Sequence, residues 1–551
     1  MRAVDDLRTH LQAVVASMGF SWPEKCVVEA PKEAGHGDLS TNLAMLLAKE
    51  ARRNPRSIAE EIAAALMQNV PDIAHAEAAG PGFCNCVFNP SYWQKVVRQV
   101  EDEGDEYGKN KAGGGKKVLV EFVSANPTGP LHIGHGRGAA YGDSLARLLA
   151  ACGYAVSTEY YINDAGRQMR MLGLSVLLRA KELNNREFTW PEEYYRGAYI
   201  IDLAKEFLTK EPGLLALPEE EGIARCTRFA MEKILAGIKD DLRDFRVRQE
   251  TFFSEKSLVA SNAVQNAFQS LDAAGRTYEK DNAYWFETTK EGDDRDRVLR
   301  KSDGSLTYFA SDIAYHHNKY ERGFDWLIDV WGADHHGYIP RMRAAIAAMG
   351  RDQKSFDVVL IQLVNLMKDG KPLSMSTRAG TFETLHDVVE LVGADACRFM
   401  FLSRKSDSPL DFDLDLVRQR NLENPVYYVQ YAHARICALL RKADERGILL
   451  PEHTPESVLA LLTRADDVAL LRKAASYTDV LIDAARTLGV HHISRYATEL
   501  AGLVHSFYAR EKILGTDEES LALARLALLR AIARILANAL HLLGVSAPLE
   551  M

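Results

Sequence analysis

Hydrophobic residues near the start of the chain recur at helical spacing. In residues 4–18 apolar side chains return every three or four positions, which predicts an amphipathic helix, and residues 42–49 and 58–67 repeat the pattern. Residues 83–88 alternate between apolar and polar side chains as a β-strand does. We therefore predict a small α+β domain over residues 1–110.

A glycine-rich polar stretch, residues 109–117, follows this domain and is typical of a flexible linker. Beyond it, strand patterns alternate with helix patterns, which predicts a parallel sheet in an α/β domain over residues 111–415. The predicted strands are 117–123, 155–162, 324–331 and 356–366, and the predicted helices are 136–151 and 338–349. A long helical and irregular section, from about 168 to 300, interrupts the alternation and predicts an inserted subdomain.

The last part of the chain is helical in pattern and contains few helix breakers. Residues 468–488 and 523–543 place Leu, Ala, Ile and Val at helical spacing. This pattern predicts an α-helical bundle over residues 416–551.

The composition, 47% hydrophobic and 26% charged, is ordinary for a soluble globular protein. The sequence has no apolar run near the roughly 20 residues that would span a bilayer, and its first residues lack a secretory signal. We expect a cytoplasmic protein with no membrane partner. Seven scattered cysteines favour free thiols over disulfides, and Cys84 and Cys86 fit one face of a strand better than a metal site.

The net charge of −9 argues against a nucleic-acid partner, because phosphate binding relies on clustered lysine and arginine. The charge is unevenly distributed, however. From Arg418 onward the chain carries 16 Lys and Arg against 15 Asp and Glu, so the excess of acid lies in the first 417 residues. The C-terminal part could therefore present a basic face, although a mixed solvated surface fits equally well.

A segment rich in proline, glycine and histidine joins the predicted strand 117–123 to the predicted helix 136–151. Three interpretations compete: a structural turn, a dinucleotide-binding loop and a nucleotide-activating site. Gly134, Gly136 and Ala139 satisfy the G-x-G-x-x-A fingerprint, and Glu159 lies where an acid would hold a ribose.

Two histidines favour the third interpretation. His132 and His135 are three residues apart at a helix start, so both imidazoles can face the side where helix N–H groups receive phosphate. An enzyme that attacks the α-phosphate of ATP needs such donors for the charge that develops on phosphoryl oxygens, whereas a dinucleotide loop does not. In this interpretation Pro127 and Pro130 shape the turn, and Gly134 and Gly136 let the nucleotide approach.

The His-Ile-Gly-His sequence of residues 132–135 resembles the HIGH motif of class I aminoacyl-tRNA synthetases, which bind ATP on a Rossmann-like sheet and form an aminoacyl-adenylate. The whole motif segment consists of Ala125, Asn126, Pro127, Thr128, Gly129, Pro130, Leu131, His132, Ile133, Gly134 and His135. The second motif of that class, KMSKS, has a counterpart in Ser374, Met375, Ser376, Thr377 and Arg378. Both of its lysines are replaced, which leaves Arg378, with Lys368 and Lys371 upstream as possible substitutes.

An acid within an apolar strand narrows the resemblance. Glu121 lies inside the apolar run 118–123, where an acid must be paired or functional; a salt bridge to a sheet neighbour is the structural alternative. Residues 121–126, 160–168 and 306–315 resemble segments of arginyl-tRNA synthetases. This resemblance implies an arginine site made of Glu121, Ser124, Asn126, Tyr308 and Asp312. Two carboxylates would face the five donors of a guanidinium.

The resemblance extends over nearly the whole chain and implies further roles. Residues 331–336 resemble an adenosine-binding segment, so the implied ATP contacts are Pro127, Gly134, His135, Gly332, Asp334, His335, Met375 and Ser376, with His132, His135 and Arg378 as catalytic residues. Residues 37–44 and 79–83 resemble the added N-terminal domain of bacterial arginyl enzymes, which contacts the tRNA corner.

Residues 424–435 resemble the start of an anticodon-binding domain. Tyr427, Tyr431 and Arg435 lie at helical spacing and suit stacking on single-stranded bases; a stripe buried in the bundle core is the alternative.

The resemblance implies an arginine–tRNA ligase that uses ATP with Mg²⁺, holds no tightly bound metal, acts as a monomer and generally requires bound tRNA before it activates arginine. The fold it implies is a Rossmann-like catalytic domain with an inserted subdomain, preceded by an α+β domain and followed by a helical bundle. Three alternatives remain at this point. They are a class I synthetase for another amino acid, an NAD-dependent oxidoreductase and a tRNA-binding paralogue without catalysis.

Overall fold

The computed structural model describes residues 2–31, 35–373, 384–515 and 518–551. The first described region is a small α+β domain, as predicted. Its elements are α1 (Ala3–Ser17), β1 (Val28–Glu29), β2 (Leu39–Thr41), α2 (Leu43–Ala51), α3 (Pro55–Asn69), β3 (Ile73–Ala79), β4 (Phe83–Phe88) and α4 (Pro90–Glu103). The strands form an antiparallel sheet in the order β1-β2-β4-β3.

The segment 109–117, predicted to be a flexible linker, is instead fixed to the next domain. The backbone N–H groups of Asn110 and Gly113 donate to Ala151 and Cys152, at 2.9 and 2.7 Å. Gly113 packs so closely on Tyr154 that a Cβ there would lie 2.5 Å from the ring Cγ. Gly113 therefore permits close packing on Tyr154 rather than flexibility.

The central region is an α/β domain. Its first elements are β5 (Lys117–Glu121), α5 (Ile133–Ala151), β6 (Ala155–Ile162), α6 (Arg167–Leu183), α7 (Ala198–Lys210), α8 (Glu219–Asp244), β7 (Thr251–Ser254), α9 (Glu255–Ala260) and α10 (Ala263–Ala273). Those that follow are β8 (Thr277–Lys280), β9 (Ala283–Phe286), β10 (Arg297–Arg300), α11 (Tyr308–Glu321), β11 (Trp326–Gly332), α12 (Ile339–Ala348), β12 (Phe356–Ile361), β13 (Val364–Lys368), β14 (Lys371–Pro372), α13 (Leu385–Val392), α14 (Ala394–Leu402), β15 (Leu410–Asp413) and α15 (Leu414–Arg418).

The main sheet is parallel and has the order β12-β11-β5-β6-β7. The chain builds outward from β5 through β6 and β7, and then crosses to the other side of β5 to form β11 and β12. The order therefore reverses between β5 and β11. Ligands of doubly wound sheets bind beyond the carboxyl ends of the strands at such a switch point. Glu121 and Asp329 are register partners there.

The prediction of one inserted subdomain from about 168 to 300 is wrong, because this segment is not a single unit. Within it, Thr251–Ser254 forms the edge strand β7 of the main sheet. The segment therefore holds a helical insertion, α6 to α8, and a second one in which β8, β9 and β10 form a small antiparallel sheet. A four-residue strand is too short for its alternation to be recognised. The predicted strand 356–366 also divides, into β12 and β13.

The C-terminal region is a helical bundle, as predicted. Its helices are α16 (Pro425–Glu445), α17 (Glu456–Leu459), α18 (Ala465–Ala475), α19 (Tyr477–Arg486), α20 (His491–Arg510) and α21 (Glu519–Leu542). The predicted helix 468–488 divides at Ser476 into α18 and α19. Among the described helices, none is both long and apolar enough to cross a membrane.

The bundle contacts both other regions. Asp38 of the N-terminal domain forms a 2.8 Å ion pair with Arg472, and the Tyr141 hydroxyl on α5 donates to the Leu488 carbonyl at 2.5 Å. The fully buried Arg398 of α14 donates both to the Leu543 carbonyl and to Asp143 of α5. Helix α5 is therefore linked to the bundle near its middle, directly at Tyr141 and through Arg398 at Asp143.

Candidate active site

The two motif histidines stack at the N-terminus of α5. His132 is the residue that caps the helix, and its Nδ1 accepts the Gly134 N–H at 3.1 Å. The Nδ1 of His135 accepts the His132 N–H at 3.3 Å, and the ring centroids are 3.6 Å apart. The two imidazoles thus face the same side, as the spacing predicts, and each satisfies a free backbone donor of the first turn.

Both imidazoles are neutral at physiological pH. Burial lowers the pKa of His132, and burial together with the neighbouring His132 lowers the pKa of His135 to about 3. A neutral imidazole has one N–H, and Nδ1 is already an acceptor in both rings, so the proton is on Nε2 in each. The site therefore presents two Nε2–H donors beside the positive end of a helix.

The histidines line a cleft of about 820 Å³ between the motif and the loop that precedes α7. Thr128, Gly129 and Pro130 form part of the same wall. The Tyr199 hydroxyl on α7 donates to the Thr128 carbonyl at 2.7 Å and so fixes the turn from the helical insertion. The cleft has the size of a typical small-molecule site.

The two motif glycines have different structural roles. A Cβ at Gly134 would lie 3.0 Å from the His132 ring, so this glycine makes room for the stacked imidazoles. A Cβ at Gly136 would lie 2.5 Å from Cδ1 of Leu385 on α13. Gly136 therefore allows α13 to pack closely on α5. The sequence had suggested instead that this glycine lets the nucleotide approach.

A second cleft, of about 440 Å³, lies at the sheet switch point. Asn126 lines both clefts, so the two are adjacent. The second cleft is lined by all five residues of the predicted arginine site and by two of the predicted adenosine contacts, namely Glu121, Ser124, Asn126, Tyr308, Asp312, Gly332 and His335. Asp334, the third predicted adenosine contact, is exposed, and its carboxylate lies 3.6 Å from Nε2 of His335.

Glu121 both lines the cleft and forms a buried salt bridge. Its Oε2 accepts from Lys319 Nζ at 2.5 Å, and its Oε1 accepts from the Ser124 hydroxyl at 2.8 Å. The partner lysine comes from α11 and not from the sheet. The same ammonium donates to Asp329 at 2.9 Å.

Ser124 reaches Glu121 through an unusual turn. Val123 and Ser124 have φ values of 70° and 41°, in the left-handed region that residues with a Cβ rarely adopt. The turn folds the Ser124 hydroxyl back over Glu121, where it also accepts the Tyr161 N–H at 3.1 Å. Such strain at a cleft is typical of functional sites.

Asp312 is the carboxylate of the cleft that has no cationic partner. It lies half-buried on the first turns of α11 and accepts a hydrogen bond from the Tyr338 hydroxyl. No lysine or arginine in the described parts of the chain forms a salt bridge with it, whereas Lys319 pairs with both Glu121 and Asp329. Burial raises the pKa of Asp312. The three carboxylates thus exceed the single ammonium, and the cleft favours a cationic ligand.

Sequence reasoning missed Lys319, Asp329 and Tyr338. Asp329 carries the same signal that revealed Glu121, an acid within an apolar strand, and could have been found by it. Lys319 and Tyr338 carry no such signal, because lysine is ordinarily a surface residue and tyrosine is common at partly buried positions.

The KMSKS-like residues Ser374, Met375, Ser376, Thr377 and Arg378 lie outside the described residues. The described chain resumes at Thr384, which forms an isolated antiparallel bridge with His132, and the Leu385 N–H donates to the Leu131 carbonyl at 2.8 Å. Thr384 and Leu385 are therefore next to the motif that carries the histidines.

The predicted tRNA-contact residues form a stacked row on α16. The rings of Tyr427 and Tyr431 are parallel within 13° with centroids 5.7 Å apart. The Arg435 guanidinium lies 3.9 Å from the ring centroid of Tyr508 on α20. Both tyrosines are partly buried rather than fully buried in the bundle core.

Three protein-family models match the chain. They are the arginyl tRNA synthetase N terminal domain over residues 5–88, the class I tRNA synthetase (R) catalytic domain over 97–401 and the DALR anticodon binding domain over 429–551. The chain is 63% identical to the arginine–tRNA ligase of Desulfovibrio desulfuricans and 58% identical to that of Nitratidesulfovibrio vulgaris, and each alignment covers all of both chains.

Solved structures agree with these matches. A putative arginyl-tRNA synthetase from Campylobacter jejuni superimposes with a TM-score of 0.76 at 38% identity, over 84% of this chain and all of the other. The arginyl-tRNA synthetase of Thermus thermophilus superimposes over all of both chains with a TM-score of 0.76 at 23% identity, which supports the fold alone.

Proposed function

The chain belongs to the arginyl-tRNA synthetase family and is an arginine–tRNA ligase, and we propose that the cleft at the switch point of its main sheet binds arginine. The enzyme joins arginine to the 3′ end of tRNA at the expense of ATP, and releases AMP and pyrophosphate. This activity excludes an oxidoreductase and a tRNA-binding paralogue without catalysis.

The observation that carries the arginine site is the position of Asp312. A half-buried carboxylate without a cationic partner, in the same cleft as Glu121, supports binding of a cationic side chain by the two carboxylates. A guanidinium offers five donors in a plane and can serve both carboxylates, whereas an ammonium is a compact point charge. We assign the guanidinium to Glu121 and Asp312, with Tyr308 at the exposed lip of the cleft.

The α-amino end of arginine is assigned to Ser124 and Asn126. Asn126 lines both clefts, so a substrate that contacts it would direct its carboxylate toward the histidine cleft. The Asn126 side-chain amide donates to Gln168 at 2.8 Å, which leaves its carbonyl oxygen as an acceptor for an ammonium.

ATP is assigned to the histidine cleft. The Nε2–H donors of His132 and His135 would stabilise the charge that develops on the phosphoryl oxygens and on pyrophosphate. Pro127 and Gly134 shape the turn beneath the nucleotide, and the adenosine would contact Gly332, Asp334 and His335. Arg378, with Met375 and Ser376, would bind the triphosphate from the segment that lies outside the described residues.

The chemistry needs no nucleophile from the protein. The arginine carboxylate attacks the α-phosphate, pyrophosphate leaves, and a hydroxyl of the terminal ribose of tRNA then attacks the carbonyl of the adenylate and displaces AMP. Catalysis would come from orientation and charge stabilisation.

Mg²⁺ is assigned to the nucleotide substrate. The described residues include no group of three or more His, Cys, Asp or Glu side chains placed to hold a metal ion. Mg²⁺ would then arrive bound to the phosphates of ATP, where it neutralises their charge.

The remaining proposals concern the tRNA and the assembly. Tyr427, Tyr431 and Arg435 would stack on single-stranded bases of tRNA. We further propose a monomeric cytoplasmic enzyme, divided at residues 110 and 415, that activates arginine only when tRNA is bound.

Kinetics of Asp312→Asn test the arginine site. The amide cannot balance a guanidinium charge, so we expect the arginine KM to rise by about tenfold or more while the ATP KM changes little. Asp240→Asn on the exposed face of α8 is the matched control, because its exposed carboxylate pairs with the surface residue Arg243. An arginine KM equal in Asp312→Asn and wild type would remove Asp312 from the site. Running each assay with and without tRNA tests the tRNA requirement.

A further inference from the structure

Lys319 lies behind the proposed arginine site and is fully buried. It is on α11, seven residues after Asp312, so its side chain leaves the helix on the same face two turns later. Its Nζ donates to Glu121 Oε2 at 2.5 Å and to Asp329 Oδ1 at 2.9 Å, and lies 4.3 Å from the ring centroid of Tyr315.

Glu121 and Asp329 would repel each other without this ammonium. They are register partners on the neighbouring strands β5 and β11, so their side chains emerge on the same face of the sheet. Two carboxylates confined in this way cannot both remain ionised unless a cation lies between them.

The hydrogen bonds to Glu121 also fix the plane of its carboxylate. Lys319 holds Oε2 and the Ser124 hydroxyl holds Oε1, each through one lone pair. Each oxygen keeps a second lone pair, and the carboxylate can accept further N–H groups without rotating. Preorganisation of this kind reduces the entropy lost on binding.

We propose that Lys319 is a positioning residue for arginine recognition, which holds Glu121 ionised and correctly oriented to accept the guanidinium. The proposal rests on the assignment of Glu121 to the arginine site. Lys319 would act without touching the substrate, since Glu121 lies between the ammonium and the cleft.

The charges around Glu121 agree with this role. Burial raises the pKa of Glu121, and Lys319 offsets that effect. Burial also raises the pKa of Asp329, but Lys319 and His316 outweigh that effect and lower this pKa to about 2. The titratable and charged groups that face Glu121 from the surrounding elements are Tyr315, His316, Lys319 and Arg322 of α11 and its end, Asp329 of β11, Glu159 and Tyr161 of β6, and Asp312.

Replacement of Lys319 gives a characteristic pH dependence. In Lys319→Met, burial and Asp329 still raise the pKa of Glu121 while the offsetting cation is absent. The pKa of Glu121 should therefore rise further in this variant, so that protonation of Glu121 weakens arginine binding most at the lower end of the pH range. The ratio of the arginine KM of the variant to that of wild type should therefore be about tenfold or more at pH 6.5 and fall toward pH 8.5, by up to about tenfold per pH unit.

The experiment measures the KM for arginine and for ATP from pH 6.5 to 8.5 in a set of variants. Lys319→Arg retains the charge, so its ratio should be independent of pH. Asp329→Asn is the matched control, because it alters the same buried cluster but leaves Lys319 paired with Glu121, and its ratio should also be flat. Lys319→Met/Asp329→Asn removes one charge of each sign, so it protects folding while Glu121 still lacks its cation, and its ratio should fall with pH.

Glu121→Gln tests the assignment of Glu121 to the arginine site separately from the role of Lys319. If Glu121→Gln leaves the arginine KM unchanged, the assignment of Glu121 fails and the role of Lys319 fails with it. If Glu121→Gln raises the KM but both methionine variants show a flat ratio, the role of Lys319 alone is overturned. Failure of both methionine variants to fold would make Lys319 a requirement of the fold and would also overturn the proposal.

Discussion

The imidazoles of His132 and His135 stack with ring centroids 3.6 Å apart, and each Nδ1 accepts a backbone N–H from the first turn of α5. The helix end thereby fixes the tautomer of both rings. The Nε2–H groups are left as donors, and the neutral state of the rings means that they act by hydrogen bonding rather than by full charge.

We expect His135→Ala to slow adenylate formation by roughly 10²-fold or more, the usual effect of removing one donor to a transition state. The measurement is exchange of labelled pyrophosphate into ATP with arginine and tRNA present. His75→Ala is the matched control, since His75 is an exposed histidine of the N-terminal domain. A rate for His135→Ala within twofold of that control would exclude His135 from the mechanism.

The ionisation of these histidines should be absent from the pH profile. The pKa of His135 is about 3, so its ring stays neutral from pH 6 to 8, and burial also lowers the pKa of His132. The ratio of kcat/KM for ATP between wild type and His135→Asn should therefore be flat over this range, because kcat/KM reports ionisations of the free enzyme. A ratio that falls as the pH rises through about 6.5 would mean that a protonated imidazole is the active form.

The buried carboxylates around the proposed arginine site are easier to predict from the sequence than the lysine that pairs with them. Glu121 stands out because an acid in an apolar strand needs an explanation, and Asp329 stands out for the same reason once the argument is applied to β11. Lys319 cannot be found in this way. Its burial depends on which face of α11 packs on the sheet, and that depends on contacts between segments some 200 residues apart along the chain.

The fold shows the same limit. Long periodic elements such as α5, β6 and α21 are predictable because each contains its own signal. The short strand β7 has no adequate signal of its own, and it joins the sheet only because β6 offers a partner. The glycines of 109–117 resemble a flexible linker in composition, but Gly113 packs closely on Tyr154 and its N–H donates to the Cys152 carbonyl just after α5.

The stacked row on α16 predicts a separable defect in tRNA binding. We expect Tyr431→Ala to raise the KM for tRNA by about tenfold, because stacking on an aromatic ring contributes about 1–3 kcal/mol per base. The arginine KM should not change, since Tyr431 is in the bundle and the arginine cleft is in the main sheet. Tyr431→Phe keeps the ring and is the control. Equal tRNA KM values for Tyr431→Ala and Tyr431→Phe would show that the ring does not contact tRNA.

Two glycines on the same helix give a matched test of packing against the motif. Gly136 is in close contact with α13, where a Cβ would lie 2.5 Å from Leu385, whereas a Cβ at Gly138 would have no atom within 4 Å. We expect Gly136→Ala to destabilise the protein by about 1–3 kcal/mol, because the core there has no space for a methyl group.

Gly138→Ala should be neutral or stabilising by up to about 1 kcal/mol, the gain in helix propensity. Calorimetric unfolding of the two variants measures the difference, with Gly136→Ala showing the lower midpoint. The double variant Gly136→Ala/Leu385→Ala should be less destabilised than the sum of the two single variants. The shortened side chain at position 385 leaves space for the new methyl group at position 136. Because Thr384 at the start of α13 pairs with His132, Gly136→Ala should also slow adenylate formation. Equal unfolding midpoints for the two alanine variants would contradict the assignment of Gly136 to helix packing.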